Sequence, residues 1–145
     1  MVTPIPDASA TLTVAHPPAR VWKALTTPAE ISRYFLGTEV VTDWNVGSPI
    51  TFRGEWQGKS YEDHGRILEF NSPRQLRITH FSPLTGLPDT PENYHTLTYT
   101  LAPVPNGTTV TITQGNNRSE SEIAESENTW RMILDNLDQF LAHRD

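Results

Sequence analysis

Threonine at alternate positions constrains this chain more than any other feature. In Tyr94-His-Thr-Leu-Thr-Tyr-Thr-Leu101 and Thr108-Thr-Val-Thr-Ile-Thr113, polar and apolar side chains trade places with period two. A helix would scatter such a pattern around its circumference, whereas a strand sorts it into two faces. β-branched side chains also suit a pleated backbone, and the chain holds 19 threonines. Related runs are Ile50-Thr-Phe-Arg-Gly-Glu-Trp56, Arg66-Ile-Leu-Glu-Phe70 and Gln75-Leu-Arg-Ile-Thr-His-Phe81. Between them stand Asn45-Val-Gly47, Gln57-Gly58, Asn71-Ser-Pro73 and Pro105-Asn-Gly107, with Gly, Asn or Pro where a hairpin must reverse. The middle of the chain therefore reads as a continuous antiparallel meander. One long link, Ser82 to Asn93, carries Pro83, Gly86, Pro88 and Pro91 and is expected to lack regular structure, serving as a lid or as a stiff surface loop.

Helix signals flank the meander. After a first strand, Ala10-Thr-Leu-Thr-Val-Ala15, the segment Pro17-Pro-Ala-Arg-Val-Trp-Lys-Ala-Leu25 opens on prolines, whose missing N–H is harmless in a first turn, and places Val21, Trp22 and Leu25 on one stripe. Pro28-Ala-Glu-Ile-Ser-Arg-Tyr-Phe35 starts a second short helix that Gly37 ends. Near the C-terminus Ser119 and Glu122 have capping-box spacing, and the stretch to about Leu141 contains neither Gly nor Pro. Trp130, Ile133, Leu134, Leu137 and Leu141 share one side of this long helix, while Glu125, Asp135 and Asp138 mark a solvated one. A sheet of six to seven strands with one amphipathic helix must curl its apolar face round that helix to bury both. The expected class is α+β, a curved antiparallel sheet wrapped round a C-terminal helix, with residues 1–145 forming a single domain.

Composition narrows the functional classes. The chain has 145 residues, 11 Lys+Arg against 17 Asp+Glu, and no Cys. This length normally buries roughly 68–70% of the unfolded chain's surface, enough for a core without disulfides or structural zinc. Thiolate catalysis and cysteine-held metals are excluded. Net charge of -6, with Lys23 and Lys59 the only lysines, argues against nucleic acid. The N-terminus shows no signal peptide, and no apolar run nears the ~18 residues of a membrane span, so a soluble cytoplasmic protein without membrane insertion is expected.

The order of elements, together with Val21-Trp-Lys-Ala-Leu-Thr-Thr-Pro-Ala-Glu30, Gly65-Arg-Ile-Leu-Glu-Phe-Asn-Ser-Pro-Arg-Gln-Leu76 and the helix from Trp130 to Leu141, resembles the SRPBCC superfamily. More narrowly, it resembles the branch named after the activator of the heat-shock-protein-90 ATPase, whose helix-grip fold is shared with START domains and the birch-pollen allergen. The likeness spans nearly the whole chain. Two family positions that often hold Trp are here Tyr34-Phe35, at the end of the second helix, and His80-Phe81, at the end of the fifth strand. The resemblance implies a cavity between sheet and helix, which in this superfamily takes lipids, polyketides and other hydrophobic molecules and in a few members supports cyclisation or hydrolysis.

Strand parity identifies which side chains would line such a cavity. Ile50, Phe52, Gly54 and Trp56 share one face, as do Leu76, Ile78 and His80, and His95, Leu97, Tyr99 and Leu101, with Val110 and Ile112 completing it. The strand from Tyr61 to Phe70 is ambiguous, because Ile67 and Leu68 are both apolar and Gly65 could host a bulge. Its inward set is either Tyr61, Asp63 and Ile67 or His64, Leu68 and Phe70. The candidate ligand-binding residues are Phe52, Trp56, Ile78, His80, His95, Leu97, Tyr99, Trp130 and Leu134. They suit an apolar ligand held by one or two hydrogen bonds in a continuous cavity of roughly 300–1,000 Å³; the alternative is that the aromatics are simply core.

Histidines from successive strands, His64, His80 and His95, could bind a metal or serve as a general base if they converge, yet no motif fixes two ligands on one element. A Gly-x-Ser-x-Gly elbow and a Gly-rich phosphate loop are both missing from the sequence. The expectation is no metal, no cofactor and no assigned catalytic residue. Three functions follow: binding of a small hydrophobic molecule, a co-chaperone-type interaction module contacting a chaperone, or a cavity enzyme using His80 or His95. The chain would be a monomer or a homodimer, an exposed sheet edge being the route to the latter.

Overall fold

The computed structural model describes residues 5–143, apart from the Trp56 side chain. Its order is β1 (Ala8–Val14), α1 (Pro18–Thr26), α2 (Pro28–Tyr34), β2 (Glu39–Val41), β3 (Pro49–Trp56), β4 (Lys59–Asn71), β5 (Gln75–His80), β6 (His95–Val104), β7 (Gly107–Gly115) and α3 (Glu120–Ala142). All strand pairs are antiparallel in one seven-stranded sheet ordered β1-β7-β6-β5-β4-β3-β2. The meander thus runs without interruption from β2 to β7, and the first strand returns to pair with the last. This is the α+β architecture that the residue pattern predicts and the helix-grip fold that the resemblance implies, with α3 lying along the apolar face of a curved sheet.

The two faces of the sheet follow the threonine alternation. On the outer face Thr11 and Thr13 of β1 meet Thr111 and Thr109 of β7, hydroxyl to hydroxyl at 3.3 and 2.9 Å. On the inner face Ile50, Ile67, Leu76, Ile78, Leu97, Leu101, Val110 and Ile112 are buried against Trp130, Ile133, Leu134, Leu137 and Leu141 of α3. Phe140, absent from the predicted stripe, joins them. Ser119 caps α3 by accepting the Glu122 N–H at 3.1 Å. The Glu122 carboxylate in turn accepts the backbone N–H of Arg118 at 2.7 Å, one residue earlier than a capping box would place it.

The ambiguity in β4 resolves through an extra residue. Ile67 pairs with Ile78, but Glu69 pairs with Arg77, so Leu68 is inserted between the two registers. Tyr61, Asp63 and Ile67 face inward, and the bulge turns Phe70 inward as well, where it meets Trp22 and Trp44 edge-on or tilted at 5.2 and 6.1 Å. Leu68 is left 45% exposed. The expected bulge at Gly65 therefore falls at Leu68 instead. Gly65 has a different reason: β5 comes so close that a Cβ there would sit 1.7 Å from the Thr79 carbonyl oxygen.

The long link is less irregular than its composition suggests, forming short 3-10 turns at Pro83–Thr85 and Pro91–Asn93. It covers the outer face, because Phe81 points away from α3 and stacks on Tyr94 with ring centroids 5.2 Å apart. Asn116 fastens its end, donating its side-chain amide to the carbonyls of Glu92 and Tyr94 at 2.9 and 2.7 Å. Of the two expected roles, the geometry is that of a fastened surface loop.

A candidate cleft between helix and sheet

Space between α3 and the sheet is divided. At one end Leu25, Ile31, Tyr34, Ile78, Leu134 and Leu137 leave a void of only about 30 Å³. At the other a cleft of about 190 Å³ opens between Phe35, Phe52, Leu97, Tyr99 and Trp130, with Thr38, Tyr61, Asp63, His80, Gln114 and Thr129 as its polar lining. The single cavity of roughly 300–1,000 Å³ expected from ordinary ligand sites is not what the fold forms. Large aliphatic side chains of α3 (Ile133, Leu134 and Leu137) fill one half of the curve, and toward the other α3 contributes only Thr129 and Trp130 to the cleft.

The predicted residues part accordingly. Phe52, His80, Leu97, Tyr99 and Trp130 meet at the cleft, whereas Ile78 and Leu134 line the packed end. His95 reaches neither, since its Nε2 lies 3.2 Å from Glu122 Oε1 at the start of α3. Burial pushes Glu122 upward, but the Arg118 N–H, His95 and the Arg118 charge outweigh this and hold its carboxyl below the usual range. Trp56 ends β3, and its side chain lies outside the described residues. The three strand histidines do not converge: His64 pairs with Asp89, His80 with Asp63 and His95 with Glu122. Among the described residues no group of three or more His, Asp or Glu is placed to hold a metal ion.

Each polar group of the cleft is positioned by a local rule. Gly54 stands opposite Tyr61 in the β3–β4 ladder. A Cβ there would come within 2.7 Å of the Tyr61 hydroxyl, so the glycine makes room for the ring to cross the strand. The hydroxyl then meets Thr38 Oγ1 at 2.8 Å. Gln114 continues the inner parity of Val110 and Ile112, accepts the Trp130 indole N–H at 3.1 Å and donates to Asn117 and Ser126 at 2.9 and 2.8 Å. Trp130 is thereby fixed edge-on to Phe35 and Tyr99, with centroids 5.8 and 6.1 Å away. Burial pushes the Tyr99 hydroxyl far up, keeping it neutral. His80 sits edge-on to Phe52 at 5.3 Å, and its Nε2 is 3.0 Å from Asp63 Oδ2.

Chemically this is an aromatic slot with a carboxylate–imidazole pair at one wall. Asp63 and Tyr61 belonged to one of the two readings of β4, and extending β7 by one inward position would have found Gln114. Phe35 and Thr38 leave no trace in the strand pattern, since they lie in the connection from α2 to β2.

A sheet curled on a terminal helix with such a slot between them defines a helix-grip domain of the SRPBCC superfamily. The chain belongs to the family described as Activator of Hsp90 ATPase homolog 1-like protein, which matches residues 15–142. Among solved structures, ChR145 from Cytophaga hutchinsonii is 45% identical with a TM-score of 0.86, over 99% of this chain and 98% of that one. MLL2253 from Mesorhizobium loti is 22% identical with a TM-score of 0.79, over 97% and 99%. The Aha1 dimer from Colwellia psychrerythraea is 17% identical with a TM-score of 0.73, over 93% and 95%. No curated protein matches the sequence. No described helix is long and apolar enough to cross a membrane.

Proposed function

We propose that the domain binds a small, largely apolar molecule in the cleft bounded by Phe52, Leu97, Tyr99 and Trp130. The observation that carries this reading is the cleft itself: about 190 Å³ walled by rings, beside an interior otherwise packed to about 30 Å³. Close packing is the rule in protein interiors, and a space of this kind is retained where something occupies it. For scale, an apolar cavity of about 150 Å³ accepts benzene. The ligand is therefore of single-ring size, smaller than a lipid or a folded polyketide chain.

The test is an NMR titration of ¹⁵N-labelled protein with toluene. Saturable shifts of the Trp130 indole N–H and of the Thr38 and Thr129 amides are expected. Shifts that never saturate, or that scatter over the outer face, would overturn the reading. They would move weight to a protein-interaction role of the kind the family's description names.

A further inference from the structure

Asp63 uses half of its carboxylate. Oδ2 lies 3.0 Å from His80 Nε2, while Oδ1 is buried and has no hydrogen-bond partner among the described residues. A desolvated acceptor without a donor is costly, more so when it is charged, and native structures rarely leave one unexplained. The neighbouring polar groups are engaged elsewhere: Trp130 donates to Gln114, Gln114 donates to Asn117 and Ser126, and the Tyr61 and Thr38 hydroxyls pair with each other. Asp63 is nevertheless part of the cleft wall, facing the space enclosed by Phe52, Tyr99 and Trp130. The carboxylate's last torsion is soft, and a partial turn about it, which keeps one oxygen near His80, brings the other toward the cleft.

We infer that the cleft selects a single-ring molecule carrying an O–H or N–H, whose proton Asp63 accepts while the ring packs among Phe52, Tyr99 and Trp130. This rests on the cleft being a ligand site and adds the chemistry of the ligand's polar end. A ring capped by an ether oxygen fits the same space but turns lone pairs toward a carboxylate. Selectivity arises from that opposition as much as from the hydrogen bond gained.

Phenol, aniline, anisole and toluene, titrated into the wild-type protein and followed at the Trp130 indole N–H, test this directly. Phenol and aniline are expected to bind about tenfold more tightly than anisole, the scale of a hydrogen bond to a charged group. The preference should vanish in Asp63→Val and survive in reduced form in Asp63→Asn, which keeps an acceptor oxygen. Equal affinities for phenol and anisole in the wild type, or an unchanged ratio in Asp63→Val, would overturn the inference and leave the cleft reading intact. Failure of all four compounds, toluene included, would remove the cleft reading itself. If Asp63→Val does not fold, the wild-type comparison of phenol with anisole decides.

Discussion

Gln114 and Trp130 show how single side chains hold the cleft open. The amide of Gln114 is buried, and its oxygen takes the indole proton of Trp130. Trp130→Phe keeps most of the apolar contact but removes that donor, so a loss of about 1–3 kcal/mol is expected in urea denaturation. Gly65→Ala should cost more, about 3 kcal/mol or beyond, because the added carbon would meet backbone rather than a side chain that can swing aside. Far-ultraviolet circular dichroism with urea reads both. The alternation of His80, Leu97 and Tyr99 announced the direction of these residues. It was silent about partners, because a hydrogen bond such as Asp63 to His80 depends on the register between strands. Register is fixed by turns and bulges, and the bulge at Leu68 has no sequence signature beyond two adjacent apolar residues.

The elements themselves were legible because their signals are local. Prolines at the starts of α1 and α2, Ser119 before α3 and the Asn106-Gly107 pair each act within a few residues of where they stand. The three-residue strand β2 was not, since so short a segment has no period to detect. The link 82–93 owes its order to contacts made across the sheet: Asp89 is shared by Tyr94 and His64 on the outer face, His64 Nε2 lying 2.9 Å from Asp89 Oδ2. The Tyr94 hydroxyl, ahead of His64, holds the Asp89 carboxyl below its usual range. Desolvation, then Asp89, pushes the Tyr94 hydroxyl up to about 12. Asp89 is depressed in the folded state, so its contribution is present above roughly pH 3.9 and is lost as pH falls through the lower folded value. Tyr94 is raised, so its contribution is complete below about pH 10 and is lost as pH climbs toward 12. Amide exchange in residues 82–93, compared at matched intrinsic rates, should accelerate at both extremes before the rest of the sheet responds. Asp89→Asn should weaken the acid limb and leave amide protection in β6 and β7 unchanged.

At the scale of the whole molecule, a ligand held between α3 and the sheet binds the folded state alone. At one hundred times its dissociation constant it should add about 2.7 kcal/mol and raise the midpoint of thermal unfolding by several degrees. Differential scanning calorimetry with phenol checks this, and the same dose should leave a Trp130→Ala variant's midpoint unmoved. None of residues 82–93 lines the cleft. The inserted Leu68 has a wider consequence. It splits β4 into two stretches set out of phase, one presenting Tyr61 and Asp63 to the cleft and the other giving Phe70 to Trp22 and Trp44. Losing one residue between the two would swing one stretch half a turn relative to the other and expose what is now hidden. Descendants of this chain are therefore free to change which small molecule they take by exchanging letters before the insertion, but not by changing the strand's length.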